Sequence, residues 1–323
     1  MEKERVSSEE NAGRILLTRQ LPPGCLDPIS RYAIVGPKPD DTPYSHADVV
    51  ALVADVDAVV CLLTDRIDAD VLAAGAPRLR IVANVAVGYD NIDVLSAATH
   101  GVVVCNTPGV LDETTADTAF LLMLAASRLA SSAESDLRSR RWTGWGVTQH
   151  LGRDVHGATL GVVGYGRIGR AVARRAQGFG MRVLHNARHH TGEHGYVADL
   201  DALLAEADIV SLHVPGGPDT HHLIDARRIA LMRPTAVLVN TARGTVVDEA
   251  ALGDALHDGR LFAAGLDVYE HEPEIHPRLL SAPRTVLLPH IGSASFATRT
   301  RMATMATTAV ATALGGGMPA NIV

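Results

Sequence analysis

The sequence predicts an α/β protein made of two doubly wound, parallel-sheet domains. Three observations carry that expectation. Short, near-continuous apolar runs alternate with stretches of helical period along the chain. One such run leads straight into a glycine-rich loop, Gly164-Tyr165-Gly166-Arg167-Ile168-Gly169, with a helical pattern behind it. A break at Asn106-Thr107-Pro108-Gly109 divides the runs into two series. Alternation of strand and helix implies right-handed βαβ units. Strands covered by helices on both faces read as unbroken apolar runs, as these do. A chain of 323 residues is long enough for two cores.

The elements follow in order. The first series has strand candidates at Arg14–Thr18, Ala58–Leu63, Arg80–Val85 and Val102–Cys105. After the break, Thr114 or Thr115 offers a helix N-cap, with Asp117 in the first turn. That helix, running through Leu129, is apolar over most of its surface, which suits either the core or a subunit interface. The second series has six strand candidates: Thr159–Val163, Arg182–His185, Asp208–His213, Ala236–Asn240, Ala263–Val268 and Thr285–Leu288. The helix after the glycine loop spaces Ile168, Val172, Ala176 and Phe179 on one face, and Gly178 and Gly180 close it. Beyond Ile291 a long Ala/Thr-rich helical pattern is expected to return to the first domain. The expected division is therefore 1–107 with 292–323 as a discontinuous substrate-binding domain, and 108–291 as the dinucleotide-binding domain. The active site is expected in the cleft between them, beyond the carboxyl ends of the strands.

Composition excludes several classes. Hydrophobic residues make up 47% of the chain, too many for a disordered one. A net charge of −7 argues against a nucleic-acid partner. The one local basic cluster, Arg138, Arg140 and Arg141, reads as a solvated helix end. The longest apolar stretch, near Ala119 to Ala126, is too short to span a bilayer, so no membrane partner is expected. Met1 to Gly13 is polar, lacks the apolar segment of a signal peptide, and reads as a tail. Cys25, Cys61 and Cys105 form no disulfide framework; Cys61 and Cys105 lie in apolar runs, and a reducing cytoplasm is the simplest setting.

The glycine loop points to a dinucleotide. Gly164 allows the tight turn, Gly166 lets backbone approach a pyrophosphate, and Gly169 lets helix and strand pack closely. Amides at the helix start then face the phosphates, with Tyr165, Arg167 and Ile168 completing the loop. An NAD-type site carries an acidic residue at the end of the second strand, about twenty residues on. Here that strand runs into Asn186-Ala187-Arg188, with no carboxylate. A guanidinium suits a 2′-phosphate. NADP(H) is therefore the preferred cofactor, with NAD(H) the alternative. His189, His190 and His194 lie nearby; no Cys or carboxylate with metal-ligand spacing accompanies them, so no metal is expected, and an imidazole here would assist the 2′-phosphate.

Three further motifs sit at strand ends: Asn240-Thr241-Ala242-Arg243-Gly244, Gly265-Leu266-Asp267-Val268-Tyr269-Glu270-His271-Glu272-Pro273, and Leu288-Pro289-His290-Ile291-Gly292-Ser293. Singly, Arg243 reads as a capping cation, Glu272 as a solvated acid and His290 as a hinge residue. Their joint arrival at the ligand side of one sheet is hard to explain that way.

With these motifs, and with Val87-Gly88-Tyr89-Asp90-Asn91-Ile92-Asp93, Val104-Cys105-Asn106-Thr107-Pro108-Gly109 and Thr114-Thr115-Ala116-Asp117, the chain resembles the D-isomer-specific 2-hydroxyacid dehydrogenase family from about Arg14 to Val323, and most closely its glyoxylate/hydroxypyruvate reductase branch. The resemblance implies a Rossmann domain beside a flavodoxin-like substrate domain and a small 2-keto or 2-hydroxy acid as substrate; the apolar helix after Thr115 makes a two-fold homodimer the expected assembly. It makes Arg243, Glu272 and His290 catalytic. Those residue types suit the chemistry: His290 as general acid to the keto oxygen, Glu272 favouring its charged form, Arg243 gripping the carboxylate and polarising the carbonyl. The resemblance also places Val87 and Gly88 at the substrate carboxylate. It places Thr241, Ala242 and Asp267 on the nicotinamide side with Gly292, and His213, Val214 and Pro215 on the adenine side. A Trp of the loop holding Trp142 and Trp145 reaches the neighbouring subunit in that branch. Relatives acting on phosphoglycerate, phosphite or formate, and dinucleotide-sensing corepressors, are the alternative readings.

Overall fold

The computed structural model describes residues 13–323. The expected N-terminal tail lies outside the described residues, apart from Gly13. The chain divides into two compact units, one comprising the described residues through Leu111 with Ala294–Val323, the other Asp112–Ser293.

The first unit contains β1 (Arg14–Leu17), β2 (Ala33–Val35), α1 (His46–Val53), β3 (Ala58–Cys61), α2 (Ala69–Gly75), β4 (Ile81–Asn84), α3 (Val94–Thr99) and β5 (Val103–Cys105). Its sheet is parallel throughout, in the order β2-β1-β3-β4-β5, the flavodoxin-like order. Leu16, Val59, Val82 and Val104 line up across four strands and bury one face against Val53, Val71 and Leu72. The edge strand β2 escapes the sequence pattern because it is three residues long and largely exposed, so nothing forces an apolar run there. The Ala/Thr-rich segment forms the helix Phe296–Leu314, capped by Ser295 and docked by Thr307, whose hydroxyl donates to the Cys25 carbonyl at 2.7 Å. Arg80 donates to the carbonyl of Ala313 at that helix's far end, at 2.8 Å.

The second unit contains α4 (Asp112–Ser127), α5 (Ala130–Arg138), β6 (Thr159–Val163), α6 (Arg167–Gly178), β7 (Arg182–Asn186), α7 (Leu200–Glu206), β8 (Ile209–Leu212), α8 (Ala226–Leu231), β9 (Val237–Asn240), α9 (Glu249–His257), β10 (Ala263–Leu266), α10 (Pro277–Leu280) and β11 (Thr285–Leu287). All six predicted strands of the series are present. Its sheet is also parallel, in the order β11-β10-β9-β8-β6-β7. Along β9, Leu238 enters one core with Leu203, Leu252 and Leu256, while Val237 and Val239 enter the other with Leu122, Met123 and Val172. Both faces are covered, which explains the unbroken apolar runs.

The start of α4 differs from the expectation. The helix begins at Asp112, so Thr114 and Thr115 lie inside it and the acids of the first turn are Asp112 and Glu113, not Asp117. The two carboxylates there suit the positive end of the helix dipole and displace the predicted threonine cap. The helix also stops short of Leu129, which adopts a left-handed backbone (φ +54°) and breaks the pattern. Its apolar surface is mostly core: Leu122 packs so closely on β10 that a Cβ at Gly265 would sit 2.9 Å from the Leu122 Cβ. The basic cluster is exposed at the end of α5, with Arg138 paired to Glu134 and Arg141 to Asp136.

Candidate active site

Within the second unit the strand order reverses at β6, whose two neighbours are β7 and β8. Parallel sheets bind ligands at such a switch point. The loops that leave β6 and β8 meet there. Gly164 takes a left-handed backbone (φ +92°), and a Cβ on it would lie 2.5 Å from the carbonyl carbon and oxygen of His213. A Cβ on Gly169 would lie 2.1 Å from the Gly164 carbonyl oxygen, so the third glycine is what lets α6 close on the loop. Gly166, the N-cap of α6, has open space where its Cβ would be. The three glycines thus make a turn, an open approach and a tight closure, a cradle suited to a pyrophosphate. Arg167 is exposed beside the cradle and paired with Asp112 at 3.2 Å; Ile168 is half-buried.

The coenzyme-side residues of the sequence reading fall around that cradle. Tyr165 stacks on His185 with ring centres 3.7 Å apart. At the end of β7, Ala187 is half-buried while Arg188 and His189 are exposed, and no ion pair engages Arg188 among the described residues. The acid of an NAD-type site is replaced by Asn186, whose amide donates to the carbonyls of Val197 (2.9 Å) and Ala198 (3.1 Å). His213 bonds through Nε2 to Ser211 at 2.8 Å, burial drives its pKa down to about 3, and its buried Nδ1 has no hydrogen-bond partner among the described residues. Val214 is half-buried and Pro215 exposed beyond it.

The catalytic candidates come together at the neighbouring strand ends. After β9, Asn240 closes the loop by accepting from the Ala242 amide (3.0 Å) and donating to the Arg243 carbonyl (2.9 Å). A Cβ on Gly244 would lie 1.8 Å from the Tyr269 carbonyl carbon, so this glycine lets the loop after β9 press on the loop after β10. Thr241 is buried and its hydroxyl has no hydrogen-bond partner among the described residues. After β10, Asp267 is buried and accepts from the amides of Ile291 and Gly292, both at 2.7 Å, while its own carbonyl accepts from the His290 amide at 2.9 Å. Burial raises the Asp267 pKa in spite of those two amides and the His290 ring beside it. Its carboxylate is thus committed to shaping the turn that carries His290.

Within that turn, His290 holds a left-handed backbone (φ +54°), uncommon for a residue with a side chain and a mark of functional strain when the surroundings enforce it. Its Nδ1 donates to Oε2 of Glu272 at 2.8 Å. Oε1 of Glu272 accepts from the Tyr269 amide at 3.0 Å. Burial alone would raise the Glu272 pKa; the hydrogen bond and charge of His290, the Tyr269 amide and the nearby Arg243 guanidinium outweigh it and hold the carboxyl below its ordinary value. With Nδ1 engaged, Nε2 is the nitrogen left for chemistry, and no hydrogen bond occupies it among the described residues.

Val87 and Gly88 lie in the first unit, just beyond β4. Their carbonyls accept from Asn106 (2.8 Å) and Asn84 (2.9 Å), and Asn84 also bonds Asn91 at 3.0 Å. Trp142 and Trp145, in the second unit, are 52% and 85% exposed. The sequence reading missed Asn84, Asn106, Asn240 and Gly244 as builders of these loops, and Asp112 as the partner of Arg167. Asn106, Asn240 and Gly244 stood inside quoted motifs; Asn84 and Asp112 needed the fold.

Comparison with known proteins identifies the family. The family model for the D-isomer specific 2-hydroxyacid dehydrogenase, NAD binding domain, matches residues 120–292. The chain belongs to that family. It is 48% identical to a glyoxylate reductase of Korarchaeum cryptofilum over 318 residues (96% of this chain, 95% of that one), and 45% identical to one of Thermococcus onnurineus over 319 residues (96% and 95%). Among solved structures it is similar to an NADPH-dependent glyoxylate/hydroxypyruvate reductase of Sinorhizobium meliloti in complex with NADP and malonate, at 35% identity with a TM-score of 0.86, covering 96% of each chain. This dehydrogenase is an NAD(P)-dependent oxidoreductase of the glyoxylate reductase branch. The glycine cradle and the unpartnered Thr241 hydroxyl fit the nicotinamide dinucleotide that such an enzyme holds. No helix among the described residues is long and apolar enough to cross a membrane.

Proposed function

We propose that this enzyme reduces glyoxylate and hydroxypyruvate, or a 2-keto acid of that size, to the D-2-hydroxy acid, with NADPH as the preferred donor and His290 as general acid. The observation that carries the reading is the Glu272–His290 pair: a half-buried carboxylate on Nδ1 at 2.8 Å orients the ring, leaving Nε2 to deliver a proton. When bound, the reduced nicotinamide supplies a hydride to the carbonyl carbon. The proton that completes the alcohol passes from Nε2 of His290 to the carbonyl oxygen. Arg243 binds the substrate carboxylate and polarises the carbonyl, and Val87 and Gly88 are further carboxylate-binding candidates. Thr241 and Ala242 serve the nicotinamide end, with Asp267 and Gly292 holding the His290 turn beside it. His213, Val214 and Pro215 serve the adenine end.

NADPH preference rests on Arg188 and on the absence of an acid at the end of β7. We also assign the enzyme to a homodimer in a reducing cytoplasm. Leu121, Leu137, Trp142 and Trp145 give the second unit an exposed apolar surface, and all three cysteines are buried and unpaired. The deciding experiment follows dinucleotide oxidation with glyoxylate, hydroxypyruvate and larger 2-keto acids, each with NADPH and NADH. Turnover of the two small acids with NADPH is expected. Failure to oxidise either coenzyme with any 2-keto acid would favour a dinucleotide sensor, and a preference for NADH would refute the coenzyme assignment.

A further inference from the structure

The segment after β7 carries an ion pair that the reaction does not use. Glu193 pairs with Arg170, on the first turns of α6. The guanidinium of Arg170 lies 4.8 Å from the centre of the Tyr165 ring, and Tyr165 is the residue stacked on His185. His185 is fully buried, bonds Thr191 through Nε2 at 2.7 Å, and keeps a buried Nδ1 with no hydrogen-bond partner among the described residues. Tyr196 meets both His185 and His190 edge-on, and it forms an isolated parallel β-bridge with His185. Arg170, Tyr165, His185, Tyr196 and His190 thus form one connected cluster at the end of β7, the strand end from which the exposed Arg188 also follows. Burial, then the charges of Arg170 and His190, hold His185 neutral, so it adds no cation of its own. Glu193 is the carboxylate on this cationic face.

Resting on the coenzyme reading above, we propose that Glu193 is a resident anion which the 2′-phosphate of NADP(H) displaces from Arg170, so that Arg170 joins Arg188 in selecting the phosphorylated dinucleotide. The chemistry favours exchange. Both side chains of the pair are about four-tenths exposed, and such a pair is weak and easily broken. A phosphate offers three oxygens and more than one charge to the same planar fork. A 2′-hydroxyl offers neither, so an unphosphorylated dinucleotide leaves the pair in place. The carboxylate also lowers the advantage of adventitious anions at Arg170, because each must first displace it.

Calorimetric titration with 2′,5′-ADP and with 5′-AMP tests the exchange without turnover. Glu193→Gln is expected to tighten 2′,5′-ADP by roughly two- to fivefold, the span of an exposed ion pair, and to leave 5′-AMP unchanged. Arg170→Met is expected to weaken 2′,5′-ADP by about tenfold, as for loss of one charge-assisted contact. In the Arg170→Met background, Glu193→Gln should no longer tighten anything, since the two residues act through one contact. Equal tightening in both backgrounds, or equal tightening of both ligands, would reduce Glu193 to a distant charge and overturn the inference while the Arg188 assignment stands. Equal binding of the two ligands by the unmodified enzyme would overturn the coenzyme reading and this inference together.

Discussion

Two regions of the second unit handle polar groups in opposite ways. At the ends of β9, β10 and β11 the carboxylates of Asp267 and Glu272 are buried or half-buried, and each oxygen is assigned: two amides on Asp267, one amide and one imidazole on Glu272. At the end of β7 the ionic groups are exposed or half-exposed, and Arg188 takes part in no ion pair among the described residues. The first region is over-determined and holds a strained histidine; the second is adaptable. Reaction chemistry tolerates little misplacement, whereas choice between two coenzymes needs only a difference in affinity.

The sharpest way to break this contrast is at His290. Asparagine tolerates the left-handed backbone that His290 adopts, so His290→Asn removes the acid with little added strain. Turnover is expected to fall by about 10²–10⁴-fold with coenzyme binding unchanged, read by steady-state kinetics and by titration with the reduced dinucleotide. A residual rate near the parent's would remove His290 from the proton transfer. Next in size is Gly244→Ala. The added methyl would lie 1.8 Å from the Tyr269 carbonyl carbon, and backbone must move. Loss of about 3 kcal/mol in urea unfolding is expected, at the upper end of overpacking, together with lower activity from a displaced Arg243. An unchanged midpoint would mean that the two loops are less tightly joined than described.

Glu272→Gln sharpens the same region through pH. It should lower turnover by roughly 10²-fold, less than loss of the acid itself. The Glu272 carboxyl is held below its ordinary value of 4.5 in the folded protein, so the stability it contributes is complete above that value and lost as pH falls through the folded-state pKa. The variant lacks this contribution. Its deficit against the parent, about 2 kcal/mol for a hydrogen bond to a charged group, should be constant near neutrality and close in acid. Parallel stability curves down to acid pH would show that Glu272 is not held in this way.

How far the sequence revealed these regions follows the same division. The glycine loop, Arg243, Glu272 and His290 stand in short motifs at strand ends, and unbroken apolar runs identify ten of the eleven strands among the described residues, so the fold class could be read directly and the candidate residues named. The edge strand β2 could not, because an exposed three-residue strand leaves no hydrophobic period. Nor could the role of Asp267: its sequence neighbours say nothing of the amides twenty-four and twenty-five residues away that its carboxylate receives. The start of α4 was misplaced because two threonines looked like caps, while the acids at Asp112 and Glu113 lie nearer the break that frees the helix. Local chemistry is visible in a sequence; long-range acceptors and close backbone approaches appear only once strands are paired.

The smallest expected effect tests the adaptable region. Arg188→Ala removes a side chain that makes no ion pair among the described residues, so folding should be unaffected and the melting temperature should hold within a degree or so. If the guanidinium meets a 2′-phosphate, the variant loses one charge-assisted contact, and the NADPH-to-NADH ratio of kcat/KM should fall by about tenfold. The loss should appear in KM for NADPH, with kcat nearly unchanged, because a contact remote from the reacting carbon binds ground state and transition state alike. With NADH neither constant should move, since no 2′-phosphate is present to be missed. A fall in kcat with both coenzymes would instead tie the end of β7 to the rigid strand-end clamp and erase the distinction between the two regions.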